Sequence, residues 1–283
     1  MSDHFAAFSF VDRITEFAPG AHARGWFAIS RDIAEFRPCL VAEAVGQLAA
    51  WVAMDKLDYR GRPVAALATE TLFEGDAAPG DLLELDVDIE DCDDEVIAYG
   101  GWAKVSGRRI IELRHCLGPM LPVEEFDSPD ELRERFALLR GRGAAAGRFR
   151  GLPPLTVTAG TRGPDKSMRA TLLVPERAAF FGDHFPRRAV FPATLLLDVQ
   201  MRLAVELANS IGDRPGAAAM TPSRMTNVKM RSFITPGQQV DLNVEMLPPA
   251  SAEGGPARLA LSAHVGDRAV ATARVELVAK VLA

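Results

Sequence analysis

The sequence predicts an α+β protein built twice over, each half a long buried helix wrapped by antiparallel strands. Three observations carry this reading. Residues 40–54 (LVAEAVGQLAAWVAM) and 194–208 (TLLLDVQMRLAVELA) are apolar on nearly every helical face, and a helix apolar all round must be buried all round. Each is followed by the same succession of strand-like run, Pro-Gly turn, alternating strand and glycine-containing hairpin. The length of 283 residues suits two domains of ordinary size.

The elements repeat in order. After the first helix come residues 65–73, the turn Ala78-Pro79-Gly80-Asp81 and the strand 82–87. After the second come 224–230, the turn Thr235-Pro236-Gly237-Gln238 and the strand 240–244. Pro-Gly fits a tight turn and period-two alternation is the strand signature. Residues 103–108 match 263–268, both as hairpins leading into a final strand. Single dipeptides match by chance; four elements in the same order do not. Between the halves an acidic-basic helical stretch, 129–140, gives way to Gly141-Arg142-Gly143-Ala144-Ala145-Ala146-Gly147, the composition of a linker. The expected organisation is a first domain at 1–127, a linker at 128–153 and a second domain at 154–283.

Composition narrows the function. Apolar residues make up 48% and charged residues 25% of the chain, the profile of a globular protein with a core. The net charge of −6 gives no basic signature for nucleic acid. No apolar run is long enough to span a bilayer, and the first residues lack the basic and apolar regions of a secretory signal. Three widely spaced cysteines, Cys39, Cys92 and Cys116, suit reduced, buried thiols and a cytoplasmic location. No cysteine has metal-ligand spacing, so neither a metal nor another cofactor is expected.

The buried helices carry polar residues that need a reason. Glu43 and Gln47 stand at i and i+4 and share one face. A buried carboxylate must find a partner, an arginine among the candidates, or take up a proton. Asp198 on the second helix has Arg202 at i+4, so a local structural pair and a functional acid are both open for it.

Just before the second helix the chain reads Phe180-Phe181-Gly182-Asp183-His184-Phe185-Pro186, then Val190-Phe191-Pro192-Ala193-Thr194. With an acid fourteen positions after the histidine, this resembles the bacterial 3-hydroxyacyl-[acyl-carrier-protein] dehydratases (FabA/FabZ-like) of hotdog fold. The run Asn227–Gly237 is similar to that family's strand after the helix. The resemblance covers residues 154–279 well and is thinner in the first half, where Glu43-Ala44-Val45-Gly46-Gln47 and the Pro-Gly-Asp turn hold it. Asp183, Ala189 and Ala193 stand where the family pattern has glycine, proline and glycine.

The resemblance implies a double hotdog that dehydrates 3-hydroxyacyl thioesters carried on acyl carrier protein or CoA, in fatty-acid or polyketide biosynthesis. His184 would be the base, a carboxyl in an apolar helix the acid, and the N–H groups near Ala193 and Thr194 the oxyanion donors. In single-hotdog relatives the histidine of one subunit works with the acid of the other. In a fused pair His184 would therefore meet Glu43, with Gln47 assisting and Asp198 as the second choice. The mirror site lacks a histidine, His22 being the only one nearby. Arg187, Arg188, Lys229 and Arg231 form a candidate carrier-docking patch. A homodimer of such double units is compatible with the resemblance. The rival readings are an acyl-thioesterase and a non-catalytic acyl-binding pseudo-dehydratase.

Overall fold

The structure, a computed structural model, describes residues 5–163, 166–211, 219–248 and 255–280. The first half gives strands β1 (Arg13–Ala18) and β2 (His22–Ala28), helix α1 (Pro38–Lys56), then β3 (Gly61–Pro63), β4 (Leu67–Phe73), β5 (Leu82–Cys92), β6 (Val96–Val105) and β7 (Arg108–Pro122). A 3-10 turn (Val123–Glu125) and helix α2 (Pro129–Arg140) follow. The second half gives β8 (Thr156–Val157), β9 (Thr161–Arg162), β10 (Ser167–Leu173), α3 (Ala179–His184), α4 (Ala193–Ile211), β11 (Met220–Met230), β12 (Gln239–Met246), β13 (Ala257–Val265) and β14 (Arg268–Ala279).

All described strands join one antiparallel sheet system. Its order is β1-β2-β5-β6-β7-β4 continuing into β11-β14-β13-β12-β10-β8, with β3 on β7 and β9 on β10. The order reads the same from both ends: β4 answers to β11, β7 to β14, β6 to β13, β5 to β12 and β2 to β10. The seam is the β4–β11 pairing, from Leu72 opposite Arg224 to Leu67 opposite Lys229. Strand patterning follows the pleat: Leu83, Leu85 and Val87 point inward from β5, and Val240, Leu242 and Val244 from β12. Both Pro-Gly turns form where expected, with Gly80 at φ +93° and Gly237 at φ +77°, a region open to glycine at little cost.

Helices α1 and α4 lie against the concave face and against each other. Helix α1 starts with Pro38, whose missing N–H costs nothing in a first turn, and ends with Lys56 complementing the helix dipole. Its apolar side chains from Cys39 to Met54 are buried, with one exception: Ala42, Glu43, Gly46, Gln47 and Ala50 form a partly accessible stripe at helical spacing. The sheet closes tightly over this helix at Gly101 of β6, where a Cβ would lie 2.7 Å from a Val45 methyl and 2.6 Å from the Asp86 carbonyl oxygen.

The acidic-basic stretch between the halves is α2, with Asp130 and Glu131 in its first turn and Arg140 in its last. It is docked rather than free. Leu132, Phe136 and Leu139 are buried, and Phe136 stacks on Trp51 of α1 at 6.0 Å. The glycine-rich segment beyond it is tied by Ala144 N–H to the Asp12 carbonyl, and Phe149 is buried against Phe10 and Phe36.

Candidate active site

A cavity of about 740 Å³ opens along the α1 stripe and reaches α4 and both central strands, β4 and β11. Glu43, Gln47, His184, Ala193 and Thr194 all line it. Asp198 does not.

His184 ends the short helix α3, in a bed of aromatic rings: Phe185 at 4.1 Å and Phe8 edge-on at 5.3 Å between ring centres. Burial lowers its pKa to about 3, with the Arg62 charge adding to the effect and the Val190 carbonyl opposing it. The imidazole is therefore neutral at physiological pH. Its Nδ1 lies 3.4 Å from the Val190 carbonyl oxygen. A carbonyl only accepts, so this contact assigns the proton to Nδ1 and leaves the Nε2 lone pair free as a base.

Glu43 sits on the cavity-facing stripe of α1. Its Oε1 accepts a hydrogen bond from Gln47 Nε2 at 3.0 Å, and its Oε2 accepts one from the Thr194 hydroxyl at 2.9 Å. Burial raises its pKa; the two hydrogen bonds and the Arg62 charge oppose the rise without cancelling it. Among the described residues no arginine reaches ion-pairing distance of Glu43. A carboxyl held in this way takes up a proton more readily than a free one.

Gln47 is fully engaged. Its Oε1 accepts from Phe10 N–H at 2.8 Å, and Nε2 donates to the Phe8 carbonyl at 2.9 Å and to Glu43. Both amide hydrogens are spent on Phe8 and Glu43, leaving Gln47 no donor for a further partner. Ala193 and Thr194 open α4, where Leu195 and Leu196 N–H already bond the Pro192 carbonyl. Ala193 and Thr194, at the positive end of the helix dipole, line the cavity along with Glu43 and His184.

Asp198 is buried in a different environment. Arg37 Nη1 lies 2.7 Å from its Oδ2 and Arg202 Nε 3.4 Å. The i+4 partner legible in the sequence is present, but the shorter contact comes from Arg37, at the start of α1 in the other half. His22 lies on β2 with its Nε2 3.4 Å from Asp86, outside the cavity. His115 lies within β7 and pairs with Glu90.

The four basic residues divide. Arg188 and Arg231 line the cavity mouth; Arg188 pairs with Glu125 and stacks over Phe233 at 4.7 Å. Arg187 donates to the Glu124 carbonyl, and Lys229 is exposed on β11. Sequence reading missed Arg62 of β3. Its Nε pairs with Asp127 at 2.8 Å, Nη2 donates to the His184 carbonyl at 3.2 Å, and its guanidinium lies 5.1 Å above the Phe185 ring. No pattern marks it, because a three-residue strand has no periodicity to read.

For metal, the one group of described residues with ligand spacing is His22, Asp86 and Asp88, and Arg24 already occupies Asp86. The cysteines are free and buried. No described helix is long and apolar enough to cross a membrane.

Comparison with known proteins agrees with this geometry at the level of fold. The family model of the ApeI-like proteins, described as the ApeI dehydratase, matches residues 161–259, about a third of the chain and the part holding His184 and α4. No curated protein matches the sequence at a significant level. Among solved structures, a Lactobacillus plantarum protein described as an oleoyl thioesterase is 11% identical with a TM-score of 0.60, covering 92% of this chain and 97% of that one. The 12:0-ACP thioesterase of Umbellularia californica is 13% identical with a TM-score of 0.52, covering 99% and 98%. An acyl-ACP thioesterase of Bacteroides thetaiotaomicron is 10% identical with a TM-score of 0.54, covering 91% and 98%. At such identities the likeness speaks for fold alone. The chain thus has the α+β hotdog fold, and its second half matches an ApeI-like dehydratase domain.

Proposed function

We propose that the protein dehydrates 3-hydroxyacyl thioesters to trans-2-enoyl thioesters, with His184 as base and Glu43 as acid. The observation that carries this reading is the pair itself. A neutral imidazole with a free Nε2 and a carboxyl with a raised pKa open onto one cavity, one from each half of the chain. Groups whose environments push them toward base and acid are what the reaction needs. Nε2 of His184 takes the proton from the carbon next to the thioester. Charge builds on the thioester oxygen, where the first N–H groups of α4, at Ala193 and Thr194, stabilise it. The electron pair then forms the C2–C3 double bond, the C3–O bond breaks, and the Glu43 proton leaves with the hydroxyl as water. Return of the proton from imidazolium to carboxylate resets the site, favoured by the low pKa of His184.

The fold is equally at home to hydrolysis of thioesters, in which an acid activates water. Dehydration is favoured because the base is a histidine in the dehydratase-like His-Phe-Pro step, within the matched segment. Incubation with 3-hydroxyacyl thioesters decides: enoyl thioester is the expected product, free thiol would mean a thioesterase, and no turnover at any chain length would mean a binding protein. The same reading takes the domain limits as 1–127 and 154–283, so that the site spans two fused hotdogs. It takes Arg187, Arg188, Lys229 and Arg231 as the docking patch for an acyl carrier protein, and the cytoplasm, where Cys39, Cys92 and Cys116 stay reduced, as the location.

A further inference from the structure

Residues 8–10 belong to neither a helix nor a strand, yet Phe8 and Phe10 are among the most buried side chains of the protein. Phe10 packs against Phe27, Phe36 and Phe149. Phe8 lies edge-on to the His184 ring at 5.3 Å. Their backbone is held from both sides of the site. Phe8 N–H donates to Asp183 Oδ2 at 2.6 Å, from the residue beside His184. The Phe8 carbonyl and the Phe10 N–H bond the two ends of the Gln47 amide, which also holds Glu43.

We infer that residues 8–10 are a strut of the active site and that Asp183 is its positioning residue, tying the histidine side to the acid side through the path Asp183, Phe8 backbone, Gln47, Glu43. This rests on the proposed pairing of His184 with Glu43. A carboxylate only 7% exposed is expensive to keep, and burial raises its pKa against the bonds it accepts from this segment. A small or apolar residue could fill the space; what it could not supply is a charge-assisted acceptor for the N–H groups of this segment, that of Phe8 above all. Phe8 then cannot move away from His184 without also pulling on the amide that orients Glu43. Releasing Phe8 and the Gln47 amide would lessen the burial that raises the pKa of Glu43.

The test uses readouts that do not depend on turnover. In Asp183→Ala, the Phe8 and Phe10 amides should both exchange hydrogen faster, by about 10- to 100-fold for loss of one bond to a charged group. The Glu43 carboxyl, followed by carbon NMR, should titrate at lower pH as water reaches it. Asp183→Asn, which keeps an acceptor, should restore both. If the alanine variant does not fold, Asp183→Ser takes its place with the same expectations. The strut is overturned if only the Phe8 amide speeds up while the Phe10 amide and the Glu43 titration stay as in the wild type. These arms decide the matter even if the wild type fails to dehydrate, a result that would reject the proposed function on its own account.

Discussion

Replacing Glu43 by glutamine removes a proton donor while leaving the hydrogen-bonding frame in place. The new side-chain oxygen can accept from Gln47, and the new amide can donate to the Thr194 hydroxyl, so both contacts to Glu43 have a substitute. Burial already disfavours the ionised form of Glu43, so a neutral amide adds no buried charge and stability should hold. Loss of a general acid costs about 10²- to 10⁴-fold in kcat, or roughly 3–5 kcal/mol of barrier. The control is Asp198→Asn. There the change leaves Arg37 and Arg202 facing a neutral group. The stability cost is about 1–3 kcal/mol rather than the full penalty of an orphaned buried ion, because both arginines remain partly in water. Dehydration of a 3-hydroxyacyl thioester, normalised to folded protein by thermal unfolding, separates the two. Glu43→Gln should be nearly inactive with an unchanged melting temperature, and Asp198→Asn less stable with most of its turnover. The opposite pattern would refute the assignment.

The pH profile follows from the same groups. His184 has its pKa lowered to about 3, so its stabilising contribution is present above the unfolded value near 6.5 and is lost as pH falls through about 3; kcat should show no acid limb near 6.5. Glu43 has its pKa raised, so activity should fall on the alkaline side as it ionises; an acid limb near 6.5 in still-folded protein would count against a His184 whose pKa burial has lowered. Asp12, fully buried and accepting Ala28 N–H at 2.9 Å, is pushed up to about 6 by burial. Its contribution is complete below about pH 4 and lost as pH rises through 6, about 3 kcal/mol in all. Asp12→Asn should therefore be the more stable protein in urea at pH 8 and lose that advantage at pH 4; parallel curves for the two proteins would contradict this. Charge reversal at Arg187 and Arg188 should slow turnover of carrier-borne thioesters and spare short synthetic ones, whereas equal loss of both would argue against docking.

Much of the fold was legible because it rests on periodicity. Two helices too apolar to face water and two Pro-Gly turns in matched positions give the order of elements, and the helices run only a few residues beyond their predicted ends, to Lys56 and Ile211. The helix at 129–140 was legible from its charges, but not its docking, since three buried apolar residues in twelve look like an ordinary solvent-facing helix. The same limit governs the site. Glu43, Gln47 and His184 stand out as polar residues inside apolar patterns. Arg37, Arg62 and Asp127 lie in turns and short strands, where polarity is unremarked, and their partners lie far away in sequence. Asp183 was visible as a departure from a motif, yet its partner is a backbone N–H 175 residues away. No local rule connects the two.

The mirrored strand order makes the asymmetry of the two acids informative. Glu43 and Asp198 occupy corresponding helices, α1 and α4, and each is buried with groups from the opposite half. For Glu43 that group is the Thr194 hydroxyl, which brings no charge into contact, so burial dominates and the carboxyl's pKa is raised. For Asp198 the opposite half supplies Arg37, a guanidinium in direct contact with the carboxylate. Asp198 is held by two arginines and lies outside the lining of the cavity, so it clasps α4 to the start of α1. Removing Arg37 alone would not revive it, because neither His22 nor His115, the described histidines of the first half, lines the cavity.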